Sequence, residues 1–185
     1  MSLKIAWGIT GSGDFIEESI SLLKRILGED GVDIKVFLSK SGEKVVRWYK
    51  LWDELEASFP NPSIEKGPNT PFIAGQVQMG KFDILLICPS TGNTTAKIAC
   101  GIADTLVTNT VSQAMKANVP VYIFPVDQKR GDVVTILPNG KKLTLTMREV
   151  DIENVEKIKK MAKITVIENI NDIGGIIKSF EGGNK

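Results

Sequence analysis

The chain has 185 residues, 42% of them hydrophobic and 24% charged, and its 23 basic and 22 acidic side chains leave a net charge of +1. These values are typical of one globular domain without a nucleic-acid or membrane-surface partner, and the lack of a signal peptide or of an apolar stretch of about 20 residues predicts a cytoplasmic protein. The absence of histidine excludes Ser-His-Asp and Cys-His catalysis and most catalytic zinc sites, so we expect a cofactor rather than a catalytic side chain to carry any chemistry.

The first predicted unit is a strand over 3–9, a polar loop and a helix over 15–27. The loop consists of Thr10, Gly11, Ser12 and Gly13. Its glycines let the backbone approach a bound group closely, and its hydroxyls lie beside the free N–H groups of a helix start, an arrangement that suits a phosphate. The third glycine of the dinucleotide fingerprint is missing, which favours a mononucleotide. Because a carboxylate repels phosphate, we interpret Asp14 as a helix cap that faces solvent.

The second predicted strand, over 32–38, is followed by Ser39 and Ser41 at the same edge of the sheet. From its chemistry alone, Ser39 is either a ligand contact or the N-cap of the next helix, which is predicted over 43–55. The aromatic residues of that helix are expected to pack in the core or in an interface. The segment 59–71 contains four of the eight prolines and no periodicity, so we predict a loop without a further strand or helix.

The most informative stretch is 84–106. An apolar run without alternation over 84–88 predicts a strand buried on both faces of a parallel sheet, and Pro89 is expected to end it because proline has no N–H for the ladder. Apolar residues at helical spacing from Ala96 to Ala103 predict a helix. The polar loop between them consists of Ser90, Thr91, Gly92, Asn93, Thr94 and Thr95. One N-cap needs one such polar residue, so five of them predict ligand contacts at the carboxyl edge of the sheet.

The two cysteines, Cys88 and Cys100, lie in the strand and the helix predicted for this stretch. A metal centre with cysteine ligands needs about four donors at short spacing, so no metal site is predicted. Each cysteine is expected to be free, buried and structural, and a functional contact stays open for Cys100.

The rest of the chain is predicted to contain one hairpin among further helices and strands. An Asn-Gly pair at 139–140 separates two β-branched runs, 133–137 and 142–147, which is a strong hairpin signal. The other predicted elements are helices over 108–116, 151–161 and 170–180, and strands over 119–124 and 164–167.

The helix predicted over 151–161 is expected to begin at Asp151 as its N-cap. It has one charged face, made of Asp151, Glu153, Lys157, Lys159 and Lys160. This face is either simply solvated or a docking surface for an acidic redox partner, because lysines steer acidic ferredoxins.

Parts of the chain resemble a flavoprotein superfamily that includes phosphopantothenoylcysteine decarboxylases, lantibiotic cysteine decarboxylases, flavin prenyltransferases and dipicolinate synthase B subunits. The segments that carry the resemblance are Gly8-Ile9-Thr10-Gly11-Ser12-Gly13, Pro89-Ser90-Thr91-Gly92-Asn93-Thr94 with Lys97-Ile98-Ala99, and Gly101-Ile102-Ala103-Asp104-Thr105-Leu106. Within the superfamily, the whole chain is most similar to archaeoflavoproteins, which bind FMN and pass electrons from ferredoxin, and to acceptor-type dihydromethanopterin reductases.

The resemblance implies one α/β domain, a three-layer α/β/α Rossmann-like fold with a mainly parallel sheet. An FMN-binding core over 1–127 is expected, followed by a small C-terminal hairpin, strand and helix extension over 128–185. The residues that it implies for the FMN phosphate are Thr10, Gly11, Ser12, Gly13, Ser39 and Ser41. Those that it implies for the isoalloxazine ring and later contacts are Pro89, Ser90, Thr91, Gly92, Asn93, Thr94, Lys97, Asp104 and Thr105. It also implies a homo-oligomer.

We therefore expect an FMN oxidoreductase or electron carrier that accepts electrons from a ferredoxin-like donor. The alternatives are a pterin reductase or a decarboxylase or prenyltransferase of the superfamily, and, without redox chemistry, a subunit that binds a phosphate or nucleotide. The sequence departs from the decarboxylase branch, because Asp127 stands where that branch has asparagine and the branch's histidine is missing. These departures count against the decarboxylase reaction.

Overall fold

A six-stranded parallel sheet forms the middle layer of the computed structural model, which describes residues 2–28 and 31–182. Its strands lie in the order β3-β2-β1-β4-β5-β8, and a separate antiparallel hairpin is formed by β6 and β7. The strands are β1 (Leu3–Ile9), β2 (Val32–Leu38), β3 (Ser63–Ile64), β4 (Ile84–Ser90), β5 (Val121–Pro125), β6 (Asp132–Ile136), β7 (Lys142–Thr146) and β8 (Ile164–Val166).

Helices cover both faces of the sheet, which confirms the predicted three-layer α/β/α fold. They are α1 (Ile16–Leu27), α2 (Lys40–Trp48), α3 (Trp52–Ser58), α4 (Ile73–Gln78), α5 (Gly92–Ala99), α6 (Leu106–Lys116), α7 (Glu149–Lys159) and α8 (Asp172–Gly182). Two buried clusters result, one between the sheet and α1 with α8, the other between the sheet and α4 with α6. Alternate residues of β1 enter opposite clusters, Ile5 and Trp7 on one face and Ala6 on the other, as a strand buried on both faces requires.

The strand order reverses direction between β1 and β4. The chain goes from β1 to β2 and β3 on one side, and from β4 to β5 and β8 on the other. At such a switch point the loops that follow the two central strands separate from each other and leave a crevice, which is where open α/β sheets bind ligands. The polar loops after β1 and β4 therefore meet at one edge of the sheet.

The prediction that Pro89 ends the central strand is wrong, because β4 continues to Ser90. The register of its pairing with β5 shifts between Ile87 and Ser90, where Ser90 pairs with Pro125. Pro89 thus lies where the regular pairing with β5 is already interrupted. Its missing N–H therefore costs no ladder hydrogen bond, and the strand continues to Ser90.

Two predictions between β2 and β4 are also wrong. The helix expected over 43–55 is two helices, α2 and α3, separated at Lys50, whose φ of 60° is left-handed and does not continue a helix. The segment 59–71, predicted to be a loop alone, contains β3, which pairs in parallel with Phe37 and Leu38. A strand of two residues is too short to show a periodic pattern.

The helix expected to reach Ala103 ends earlier, because α5 stops at Ala99 and Gly101 takes a φ of 72°. As a result Cys100 is exposed, against the prediction, whereas Cys88 is buried in β4, and burial raises the pKa of its thiol to about 12. The helix α6 begins at Leu106, two residues before its predicted start.

The structure places the N-cap of α7 at Arg148, three residues before Asp151, so the capping role predicted for Asp151 is wrong. The side chain of Asp151 is buried and accepts two hydrogen bonds from the Arg148 guanidinium, at 2.8 and 2.7 Å. Within residues 2–28 and 31–182, no helix is long and apolar enough to cross a membrane.

Candidate functional site

Thr10 connects the two loops that meet at the switch point. Its Oγ1 donates to the Pro89 carbonyl at 2.8 Å and accepts from the Thr91 N–H at 2.9 Å, and its own N–H also points to the Pro89 carbonyl at 3.3 Å. The residue is almost completely buried. Its hydroxyl is thus used within the chain to hold the β1 and β4 loops together.

The glycines of the first loop lie directly against α2. A Cβ on Gly11 would lie 2.7 Å from the Cβ of Ser41, and one on Gly13 would lie 2.2 Å from the Tyr49 hydroxyl oxygen. Both distances are shorter than any normal contact, so a larger residue at Gly11 would have to displace Ser41 and one at Gly13 the Tyr49 ring. Between them Ser12 is buried, and its hydroxyl donates to the Asp14 carbonyl at 3.2 Å. The loop therefore presents mainly backbone to the crevice.

Ser39 is the N-cap of α2. Its Oγ accepts from the Gly42 N–H at 2.9 Å, so of the two predicted roles of this serine the structure contains the N-cap. Ser41 is exposed and lies against Gly11. The structure therefore brings the predicted serines after β2 together with the glycine loop after β1.

The loop after β4 is shorter than predicted, because α5 already begins at Gly92. Thr91 is its N-cap and accepts from the Thr94 N–H at 3.2 Å. Asn93 is exposed, and the first turn of the helix contains no acidic residue. The first turn of α5 thus contributes no negative side chain of its own to the crevice.

Ser90, predicted to contact the ligand, is instead enclosed. Its side chain has no exposed surface, and its hydroxyl lies 3.1 Å from that of Thr95. Pro89 is buried as well, and its carbonyl accepts from Thr10. These residues shape the loop from inside, whereas Asn93 lies on its surface.

Backbone N–H groups are the main donors that this edge offers to a ligand. The N–H groups of Gly11, Gly13, Ser41 and Asn93 have no hydrogen-bond acceptor among the residues that the structure describes. They belong to three neighbouring segments, the β1 loop and the first turns of α2 and α5. Unpaired backbone N–H groups in neighbouring segments can bind an anion, so this edge is suited to a phosphate.

The last group of predicted contacts is paired internally. Lys97 Nζ binds both carboxylate oxygens of Asp104, at 2.9 and 2.8 Å, and this lysine lowers the pKa of the carboxyl. Thr105 is the N-cap of α6 and forms a capping box with Thr108. No hydrogen bond in the described part of the chain connects these residues to the glycine loop, so the structure brings them to each other and not to it.

Sequence reasoning missed Glu65, which follows β3. Its side chain is buried, and its two carboxylate oxygens accept from the Lys40 N–H at 3.0 Å and the Leu106 N–H at 2.9 Å. A buried carboxylate requires such donors, and here they are the first N–H groups of α2 and α6. Glu65 thus fixes both helix starts beside the site, but a lone glutamate in a proline-rich segment gave no signal of this.

The hairpin folds back onto the glycine loop, which was also not predicted. Asp14 is half-buried and accepts from the Thr135 hydroxyl at 2.9 Å, so its interpretation as a cap that faces solvent is wrong. The N-cap of α1 is Phe15. On the other side of the loop, the Tyr49 hydroxyl donates to the Ile136 carbonyl at 3.0 Å, and burial, with a smaller contribution from Asp14, raises the pKa of that tyrosine.

Asp127 lies at the start of α5. Its Oδ2 accepts from the Gly92 N–H at 2.8 Å, and a Cβ on Gly92 would lie 2.6 Å from that oxygen and 3.0 Å from Oδ1 of Asp151. Burial raises the pKa of Asp127, the bond from Gly92 lowers it, Asp151 and Asp14 raise it further, and Arg148 lowers it. Three carboxylates therefore converge on this part of the crevice.

Residues 1–180 match the family model described as Flavoprotein. An uncharacterized protein from Methanocaldococcus jannaschii is 54% identical over 175 residues, which are 95% of this chain and 94% of that protein. A dihydromethanopterin reductase (acceptor) from the same organism is 40% identical over 82% of this chain, which spans 66% of the length of that reductase. The structure of Burkholderia xenovorans DmrB in complex with FMN, described as a cubic protein cage for redox transfer, has a TM-score of 0.82, with 28% identity over 98% of this chain and 97% of that one.

Proposed function

The chain belongs to the Flavoprotein family, and from this membership and the geometry of the crevice we propose that it binds FMN non-covalently and acts in electron transfer as a flavin-dependent oxidoreductase. The observation that carries the proposal is a group of four N–H donors at the switch point of the sheet, those of Gly11, Gly13, Ser41 and Asn93, which have no acceptor within residues 2–28 and 31–182. Bound FMN would supply the electron-carrying chemistry, which requires no histidine from the chain.

The residues present fit the phosphate of FMN. The N–H groups of Gly11 and Gly13 have no acceptor among the described residues, and Ser41 adds a hydroxyl and a helix-start N–H. The start of α1 is less suitable, because its first turn contains Glu17 and Glu18. We therefore assign the phosphate to the glycine loop and the first turn of α2.

The ring of FMN is assigned to the loop after β4. Asn93 is exposed there, and its amide offers both a donor and an acceptor to the ring nitrogens and carbonyls. Thr91 and Thr94 lie beside it, and their hydroxyls bond to each other at 3.1 Å. We assign Lys97, Asp104 and Thr105 only a secondary role in binding the ring, because their side chains already have partners within the chain.

Titration of the apoprotein with FMN, followed by quenching of flavin fluorescence, tests the assignment. Asn93→Ala and Ser12→Ala should each weaken FMN binding about 5- to 150-fold, at a cost of about 1 to 3 kcal/mol. The first removes a polar partner of the flavin ring, and the second removes the bond from Ser12 to the Asp14 carbonyl that supports the glycine loop. Ser179→Ala, on the exposed face of α8, is the matched control and should bind like the wild type. Wild-type affinity in both Asn93→Ala and Ser12→Ala would refute the site, and a wild-type protein that never binds FMN would refute the function.

A ferredoxin-like donor is the finer part of the proposal, supported by the resemblance to archaeoflavoproteins and by exposed lysines on α7. Lys157 and Lys160 are exposed there, whereas Lys159 is paired with Glu156 and Glu168, and Asp151 is buried. The double variant Lys157→Glu with Lys160→Glu should slow electron uptake from reduced ferredoxin and weaken its dependence on salt. Rates equal to those of the wild type at every salt concentration would leave this face without a docking role.

A second candidate, reduction of a dihydropterin, is supported by the 40% identity to a dihydromethanopterin reductase. It uses the same flavin and differs in the final acceptor. Oxidation of the photoreduced protein by an added dihydropterin, followed by its absorbance, would favour the reductase. Electron uptake from ferredoxin without oxidation by the dihydropterin would favour the electron carrier.

We also propose that the protein forms a homo-oligomer, since a structurally similar protein is described as a cage. The hairpin supports this proposal, because four of its apolar side chains are 41–59% exposed. They are Val134, Ile136, Leu143 and Leu145. Light scattering on the purified protein should give a mass of several chains, and a monomer at micromolar concentration would contradict the proposal.

A further inference from the structure

A carboxylate from outside α5, that of Asp127, lies at the first turn of this helix. Asp127, which follows β5, accepts the Gly92 N–H at 2.8 Å, while the next N–H, that of Asn93, has no acceptor among the described residues. The carboxylate is thus held one residue away from the side chain that we assign to the flavin ring. A charge in this position acts on whatever the loop binds.

The surroundings leave the charge of Asp127 largely uncompensated. The groups that face it are the Gly92 N–H of α5, Asp14 of the β1 loop, and Asp151 and Arg148 at the start of α7. The guanidinium of Arg148 is already engaged with Asp151 through two hydrogen bonds. Three carboxylates and one guanidinium therefore give this part of the crevice a net negative charge.

We propose that the ionised carboxylate of Asp127 weakens the binding of reduced relative to oxidised flavin and thereby holds the reduction potential of the site low. Uptake of two electrons and one proton at neutral pH, with the electrons from the low-potential donor, adds one negative charge to the flavin, and a neighbouring carboxylate opposes that charge. The proposal rests on FMN being the ligand. Asp127 acts here as a positioning and tuning residue, with no proton transfer assigned to it.

Asp127→Asn is the test, because the amide has the same shape and its oxygen still accepts from the Gly92 N–H, while the charge is lost. The potential of the bound flavin is measured by equilibration with a reference dye during anaerobic reduction. We expect the preference for reduced over oxidised FMN to rise about tenfold, which equals a potential about 30 mV more positive for a two-electron couple. The difference should shrink as the pH falls through the pKa of Asp127, since the wild-type side chain is then neutral too.

Asp33→Asn, at the start of β2 on the opposite edge of the sheet, is the matched control and should leave the potential unchanged. Asp127→Ser, which also removes the charge, should shift the potential in the same direction and serves if the asparagine variant does not fold. Equal or more negative potentials in charge-free variants that still bind FMN would overturn the inference. Failure of the wild type to bind FMN would instead overturn the proposed function, so the two failures are distinguishable.

Discussion

The hydroxyl of Thr10 is the best group to remove as a test of the crevice, because it bonds to both Pro89 and Thr91 and so joins the β1 and β4 loops. Thr10→Val keeps the shape of a fully buried side chain and removes only its hydrogen bonds. The Pro89 carbonyl keeps the bond from the Thr10 N–H, but the Thr91 N–H loses its acceptor. We expect the loop after β4 to separate from the loop after β1, and with it the two halves of the proposed FMN site.

The size of the effect follows from the bonds involved. One lost hydrogen bond costs about 1 kcal/mol, and a buried N–H without a partner adds about 1 to 3 kcal/mol. We therefore expect Thr10→Val to lower the free energy of unfolding by about 2 to 4 kcal/mol. FMN affinity should fall at least tenfold in the fraction that stays folded, because the Thr91 loop is no longer held in place.

Urea unfolding of the apoprotein, followed by circular dichroism, measures the first effect, and fluorescence titration measures the second. Thr110→Val is the matched control, since Thr110 is equally buried and its hydroxyl donates to the Leu106 carbonyl at 2.7 Å within α6. That carbonyl keeps its backbone partner, so the control should lose no more than about 1 kcal/mol. Equal losses of stability in both variants, with FMN affinity unchanged, would show that Thr10 does not hold the two loops together.

Three further changes test the parts around the crevice. Glu65→Gln should lower the free energy of unfolding by about 1 to 3 kcal/mol, because one of the two helix starts loses its acceptor, and a loss below about 0.5 kcal/mol in urea unfolding would contradict this. Gly13→Ala should displace the Tyr49 ring and speed amide exchange in β6, whereas Gly67→Ala, which meets no neighbour within 4 Å, should leave exchange unchanged. The raised pKa of Asp127 means that the folded protein binds this proton more tightly than the unfolded one, so its contribution to stability is lost as the pH rises from about 4 through that pKa. Asp127→Asn should therefore gain stability relative to the wild type at pH 7 and not at pH 4, and a gain equal at both values would contradict the burial argument.

The layers of the fold could be predicted because each long element carries its own pattern. The continuous apolar run of β4 predicted a buried strand, and the Asn-Gly pair between β6 and β7 predicted a hairpin. The structure confirms both. The errors fall where tertiary contacts overrule the local pattern. Lys50 ends α2 inside a continuous amphipathic pattern, and β3 is a strand only because β2 offers it an edge.

The candidate site was predicted less completely than the fold. Topology brings the loops after β1, β2 and β4 to one edge, so the position of the crevice followed from the order of the motifs. Glu65, Asp14 and Asp127 were missed or misread, because the donors that satisfy them come from distant parts of the chain, such as Thr135 for Asp14. A sequence shows which residue types are present but not which distant N–H or hydroxyl will meet a buried carboxylate.

The roles of the small polar residues differ most from the prediction. The hydroxyls of Thr10, Ser90 and Thr91 were expected to bind the ligand, and Ser39 to be either a ligand contact or an N-cap. In the structure each of the four hydroxyls bonds to the chain itself. These bonds hold the loops in place, and the backbone N–H groups at the crevice that have no partner in the described part of the chain are the groups that suit an anion. Nearly every residue has a backbone N–H, so residue type does not decide whether such a loop binds an anion. The conformation of the loop decides it, because it sets which N–H groups are free and where they lie. A hydroxyl that supports the conformation therefore matters to binding as much as one that contacts the ligand.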